Sequence, residues 1–158
     1  FKDLKSVLQS ELNSKDYDLV IHAAAVGDYS PTGIEVNGSE TKLPLEKKFD
    51  SSADNVKVIL SKNIKLVNEI KSWSQNENIK LIAFKLLNDG DDIRKEKELK
   101  KLFDNSKADS IVFNSLSNRK NEVQNSFQII NKSESKKNAA SANDLAKELY
   151  NQWRSSWS

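Results

Sequence analysis

Hydrophobic residues fall into short, separable groups along this chain. Phe1, Leu4, Leu8 and Leu12, with Val7 beside them, recur at helical spacing and predict an opening amphipathic helix. Tyr17 to Val26 follows as an apolar run, Tyr-Asp-Leu-Val-Ile-His-Ala-Ala-Ala-Val, whose β-branched front half suits a strand buried on both faces. Val56 to Leu60 alternates as a strand. Ile64, Val67, Ile70 and Trp73 then mark a helix that Ser61 or Asn63 would cap. Ile79 to Phe84, Ala108 to Phe113 and Phe127 to Ile130 read as three further strands. Between the first two of these, Asn88 to Asp92 supplies a turn and a cap for a charged helix from Ile93 to Phe103. Ala142, Leu145, Leu149 and Trp153 share one face of a last helix, roughly Ser141 to Trp153.

Helix followed by buried strand is the rhythm of a parallel α/β sheet, here of four to five core strands in one unit. The stretch from Gly27 to Asp54 breaks it. Pro31, Gly33, Gly38, Pro44 and scattered charges make that stretch a long loop with room for short strands such as Thr41 to Leu45. A loop of this length inside a domain is more often functional than idle.

Composition excludes several classes. The 158 residues carry 25 Lys+Arg against 23 Asp+Glu, a net charge of +2, and 37% are hydrophobic, which argues against a polyanion-binding tail, a membrane span and a disordered chain. Lys100-Lys101 and Lys136-Lys137 are diluted by acids and not interleaved with aromatics, so no nucleic-acid partner is expected. Cysteine is absent, which removes disulfides and thiolate chemistry and points to a reducing, cytoplasmic setting. Methionine is absent too, even at position 1, so the segment is expected to come from a longer protein. The four glycines, Gly27, Gly33, Gly38 and Gly90, form no phosphate-cradling loop, and Asn37-Gly-Ser and Asn131-Lys-Ser read as chance glycosylation matches.

In an open parallel sheet, ligands bind beyond the carboxyl ends of the strands. Ala23-Ala-Ala-Val-Gly-Asp-Tyr-Ser-Pro31 follows the first strand. Its small residues leave backbone open to a flat ring or a ribose, or simply allow close packing, and Asp28 could bond a hydroxyl or help hold a divalent cation. Lys47 and Lys48 could neutralise phosphate or polarise an acyl oxygen from the long loop, or be ordinary solvated charge. Phe84 could border a nucleotide base or pack in the core, and Asn114 could read a base edge or cap the next turn. His22, without a Ser or Cys partner, reads as a packed core histidine. Asp89, Asp91 and Asp92 lack a calcium-loop pattern and read as turn and cap residues.

Taken in order, four segments resemble phosphopantothenate-cysteine ligase: Ala23 to Pro31, Lys47-Lys-Phe-Asp-Ser-Ser52, Ile82-Ala-Phe-Lys-Leu-Leu87 and Ala108-Asp-Ser-Ile-Val-Phe-Asn114. The resemblance implies a Rossmann-like three-layer α/β sandwich with a mainly parallel sheet and a loop and short-strand insertion after the first strand. It implies a single nucleotide-binding ligase domain over 1–158, lacking the family's Gly-rich opening strand and loop. It further implies a step of coenzyme A biosynthesis, in which CTP with Mg²⁺ activates 4'-phosphopantothenate as an acyl-cytidylate and cysteine displaces the nucleotide. By position, Lys48 and Asp28 would be catalytic. Ala24, Ala25, Asp28, Lys48, Ile64, Lys65, Leu66, Val67, Phe84 and Asn114 would border the nucleotide. No protein residue is assigned to the metal. A homodimer and a fused or associated flavin-dependent decarboxylase are further implications.

Three departures stand out. Gly27 replaces the usual Ala, and Ile64-Lys65 replaces the usual Pro-Asp. Two family lysines fall near Leu102 and Ser106, with Lys101 and Lys107 each one residue displaced, and one residue turns a helical side chain by about 100°. Two other readings compete. Asp18-Leu-Val-Ile-His-Ala-Ala24 also fits the NAD(P)-binding extended short-chain dehydrogenases and epimerases, but Ile21, Gly33 and Arg154 stand where a Tyr-x-x-x-Lys pair would need lysine. The other is a nucleotide-binding dimerisation module without turnover.

Overall fold

Apolar residues that alternate in direction but are buried on both sides make the centre of the molecule. In the computed structural model, residues 1–45, 48, 52–88, 91–120, 123–124, 126–133 and 135–154 are described, the side chains of 118–120, 123 and 124 excepted. The elements are α1 (Lys2–Ser14), β1 (Leu19–His22), β2 (Tyr29–Val36), β3 (Ser39–Lys42), β4 (Val56–Lys62), α2 (Leu66–Trp73), β5 (Lys80–Leu87), α3 (Asp92–Ser106), β6 (Ser110–Ser115), β7 (Arg119–Lys120), β8 (Val123–Gln124), β9 (Phe127–Asn131), β10 (Lys136–Ala139) and α4 (Ala142–Arg154).

The main sheet has the order β1-β5-β6-β9-β10. β1, β5 and β6 are parallel; β9 runs antiparallel to β6, and β10 antiparallel to β9. On one face, Leu81, Ala83, Ile111 and Phe113 pack with Leu12 of α1, Ile70 of α2 and Leu99 of α3. On the other, Ile82, Val112 and Ile129 pack with Leu145, Leu149 and Trp153 of α4. Helices on both faces explain why the middle of each strand, residues 81–84 of β5 and 111–113 of β6, is apolar without alternation. Each fully buried Leu, Ile or Val among them contributes roughly 1.5–3 kcal/mol. The result is the mainly parallel, Rossmann-like α/β sandwich that the resemblance implied.

A second sheet, β3-β2-β4, is wholly antiparallel and occupies much of the stretch read as a loop. Pro31 lies inside β2, where the register shifts between Pro31 and Gly33, the kind of irregularity that accommodates a proline within a sheet. Asn37 (φ 47°) and Gly38 (φ 87°) both take left-handed backbone and turn β2 into β3. Asn37-Gly38 is thus a hairpin turn, which reading it only as a chance glycosylation match overlooked. β3 starts two residues earlier than the Thr41 to Leu45 strand expected there and shares only Thr41 and Lys42 with it.

Other boundaries also moved. The first strand stops at His22 rather than Val26, because the three alanines leave the sheet as exposed loop. Neither Ser61 nor Asn63 caps α2: Ser61 lies in β4 with its hydroxyl 3.1 Å from that of Thr32, the Asn63 amide donates to the Gly27 carbonyl, and Lys65 holds the N-cap position. By contrast, Asp91 caps α3, its Oδ1 accepting from the Arg94 N–H at 2.7 Å, while Asp89 lies outside the described residues. β10 and the β7–β8 hairpin had no apolar pattern to announce them.

Candidate functional site

The carboxyl ends of β1, β5 and β6 point the same way because the three strands are parallel. Beyond β1 the chain runs through Ala23, Ala24 and Ala25, all exposed, to Gly27 and Asp28 at the start of β2. The Asp28 carboxylate is ion-paired with the Lys65 ammonium, each side chain about half exposed. The hydrogen bond from Lys65 holds the Asp28 carboxyl below the usual carboxylate range, assisted by the charges of Lys65, Lys85 and Lys62 and opposed by slight burial.

Lys85 is engaged on its other side. Its ammonium lies 2.7 Å from the Glu98 carboxylate of α3, and that hydrogen bond lowers the Glu98 pKa. Lysines 62, 65 and 85 therefore outnumber the acids Asp28 and Glu98 at this end of the sheet. An excess of lysine of this kind can attract an anion, with ammonium groups free to exchange a carboxylate for another oxygen partner. Lys62 and Lys85 were not among the residues singled out in the sequence. Their only signal was adjacency, Lys85 to Phe84 and Lys62 to Asn63.

The two faces of the sheet divide the other candidates. Phe84 points toward α4, half-buried beside Leu19, and lines an apolar groove of about 360 Å³ with Ile21, Leu145, Leu149 and Trp153. Asn114 pairs in register with Leu86, two residues beyond the Phe84–Val112 pair, so it shares that face at the carboxyl end of β6. His22 pairs with Ala83 and belongs to the opposite face, half-buried, its pKa lowered by burial.

In the Ile64–Val67 stretch, the side chains diverge. Ile64 is exposed, Leu66 is 1% exposed, and Val67 packs against the core formed with α2 and α3. The buried Leu66 could meet a ligand only through backbone, Val67 is partly buried, and Lys65 pairs with Asp28 at the site. Lys48 is exposed between β3 and β4, and Lys47 lies outside the described residues. The α3 positions where the two family lysines fall, Leu102 and Ser106, are core-facing: Leu102 packs against the core, and Ser106 is fully buried, its hydroxyl donating to the Leu102 carbonyl at 2.6 Å. Lys107 ends α3 in left-handed backbone (φ 57°), just before β6 begins and hence at the amino end of the sheet.

Among the described residues, no group of three or more His, Cys, Asp or Glu side chains could hold a metal ion. A divalent cation here would be held chiefly by a ligand's own phosphates, with the Asp28 carboxylate as one available oxygen donor of the protein.

Residues 2–155 match the family described as the DNA/pantothenate metabolism flavoprotein C-terminal domain. The chain belongs to that family. It is the family to which the four ordered sequence segments pointed. Among curated proteins, none matches the chain. Of the solved structures, the DNA/pantothenate metabolism flavoprotein from Streptococcus pneumoniae superposes with a TM-score of 0.77 at 25% identity, over 98% of this chain and 69% of that one. The C-terminal domain of the coenzyme A biosynthesis bifunctional protein CoaBC gives 0.58 at 17% identity, over 96% of this chain and 59% of that one. A Cab2 variant in complex with phosphopantothenate-cysteine gives 0.56 at 17% identity, over 87% and 41%. The last two likenesses show shared fold alone.

Proposed function

We propose that this domain supplies the nucleotide half of a phosphopantothenate-cysteine ligase in coenzyme A biosynthesis. In that reaction the carboxylate of 4'-phosphopantothenate attacks the α-phosphorus of CTP and expels pyrophosphate. The cysteine amine then attacks the acyl carbon and expels CMP. The observation that carries the reading is the position of the Ala23–Asp28 segment. It emerges at the carboxyl end of a parallel strand and is met there by Lys65, with Lys62 and Lys85 close enough to act on Asp28.

In this reading, the exposed Ala24–Ala25 backbone lies along the nucleoside and Asp28 bonds a ribose hydroxyl or the triphosphate-borne Mg²⁺. Lys65 and the start of α2 face the phosphates, and Lys48 stabilises negative charge at the acyl centre. Phe84 and Asn114 would border the base from the α4 face. Mg²⁺ supplies charge neutralisation for the triphosphate. The acyl-substrate half is assigned to the family's Gly-rich opening segment, which these residues do not include.

A homodimer is the proposed assembly. Val56, Val58 and Leu60 alternate onto one face of β4, beside Tyr29, and all four are about half exposed. An exposed apolar stripe of this kind on a second sheet suits a second copy of the same stripe. Association or fusion with a flavin-dependent decarboxylase, and action in the cytoplasm, complete the reading. No helix among the described residues is long and apolar enough to cross a membrane.

Calorimetry tests the nucleotide assignment: CTP with Mg²⁺ should bind more tightly than NADPH, and clear NADPH binding without CTP binding would sink it. In the full-length protein, Lys48→Ala and Asp28→Ala should each lower ligation at least tenfold. Unchanged turnover in both would reject these two residues even with the family established.

A further inference from the structure

β2 and β4 pair antiparallel as far as Tyr29 opposite Lys62. One step further, the Asn63 N–H donates to the Asp28 carbonyl at 2.8 Å, which continues the ladder. The next donor in that ladder would have to come from main chain, but there the chain turns away toward α2. The Asn63 side chain takes its place: Nδ2 donates to the Gly27 carbonyl at 2.9 Å. Two residues on, Lys65 returns to the Asp28 carboxylate. A single short connection, 63–65, thus holds Gly27 and Asp28 at three points: one backbone carbonyl by an N–H, the other by an amide side chain, and the carboxylate by an ammonium.

From this geometry we infer that Asn63 is a positioning residue of the nucleotide site. This rests on the ligase reading of the loop after β1. Ala23 to Ala25 are exposed and leave the sheet, so the path of that loop is set at its two ends, β1 and the Asn63 contact. Loss of the Nδ2 donor frees the Gly27 carbonyl and lets the Gly27–Asp28 peptide rotate. The Asp28 carboxylate and the alanine backbone then lose their common orientation toward the ligand. The Asn63 N–H and the β2–β4 ladder are untouched by a side-chain change, so the fold persists. Among short side chains, only one with a nitrogen or oxygen donor at this reach can do the same work; aspartate has the shape without the donor.

The test compares wild-type protein with Asn63→Ala and Asn63→Asp in the full-length enzyme. CTP is the probe for affinity and for the KM-against-kcat split, amide hydrogen exchange reports on residues 24–28, and thermal melting serves as a fold control. Both variants should raise the KM and Kd for CTP about tenfold, the ~1.4 kcal/mol equivalent of one ordinary hydrogen bond. They should leave kcat within about twofold and speed exchange at residues 24–28 severalfold, with melting little changed. CTP binding and exchange both at wild-type values would overturn the inference. So would faster exchange with unchanged CTP affinity, or a fall in melting temperature with KM unchanged, which marks a purely structural role. Wild-type protein that binds neither CTP nor ATP would instead overturn the ligase reading, and with it the nucleotide role of Asn63.

Discussion

The Lys65 ammonium and the Asp28 carboxylate meet beside the junction of β2, β4 and α2, although 37 residues separate them in the chain. Their pairing lowers the Asp28 pKa from its ordinary value of 3.8. For a carboxyl with a depressed native pKa, the pairing is fully present above the unfolded value and is lost as pH falls through the native one. An NMR titration should therefore place the Asp28 midpoint below 3.8 in the wild type and closer to it in Lys65→Met. Identical midpoints would show that the pair does not persist in solution.

Asp109 brackets Leu81. Its N–H donates to the Leu81 carbonyl at 2.8 Å while its Oδ2 accepts from the Leu81 N–H at 2.8 Å, and Lys71 lies 2.8 Å from the same carboxylate. Leu81 is fully buried, so Asp109→Ala leaves a buried N–H without its acceptor. That change should cost ~2 kcal/mol in urea unfolding. Asp109→Asn, which keeps an acceptor oxygen and loses only the ion pair, should cost less.

Glycine substitutions should separate by position. A Cβ on Gly27 would lie 3.4 Å from the Tyr29 carbonyl, an ordinary contact, so Gly27→Ala should change stability by no more than about 0.5 kcal/mol. On Gly33, it would lie 3.0 Å from the Thr41 carbonyl and 3.4 Å from the Ile59 side chain, between two paired strands. Gly33→Ala should cost ~1–3 kcal/mol. Equal melting temperatures for the two variants would contradict this.

His22 gives stability its own pH dependence. Burial holds its pKa below the ordinary 6.5, so as pH falls through 6.5 the unfolded chain takes up a proton that the native chain does not. Stability should decline with falling pH from there until the lowered native pKa is reached. His22→Gln should remove that part of the decline. Urea midpoints at pH 7.5 and 5.5 measure it, and equal declines in wild type and variant would rule it out.

The buried strands and all four helices were legible because their periodicity survives in the sequence: Leu145, Leu149 and Trp153 sit on one face of α4 as their spacing requires. The family was legible in the order of four segments. The second sheet was legible only in β4, where Val56 to Leu60 alternate. β2 and β3 were not: β3 is short, exposed and polar, β2 is interrupted by Pro31 and Gly33, and their one sharp local signal, Asn37-Gly38, needs a partner strand before it reads as a hairpin. Asn63 was misread for a related reason. An asparagine just before a helical pattern is an ordinary cap by local rules, but its amide is claimed by a carbonyl 36 residues upstream.

By itself, then, the chain determined which segments would be helix or core strand, because burial periodicity is a local property of side-chain order. It also determined that Asp28 would stand in a loop after the first strand. Only the tertiary structure decided what faces Asp28. The return of β4 alongside β2 brings Asn63 and Lys65 to it, and the parallel register of β1 and β5 sets Lys85 at the same end of the sheet. Charges and donors that converge from separate elements leave no periodic trace in a sequence, since their relation is set by strand pairing across tens of residues.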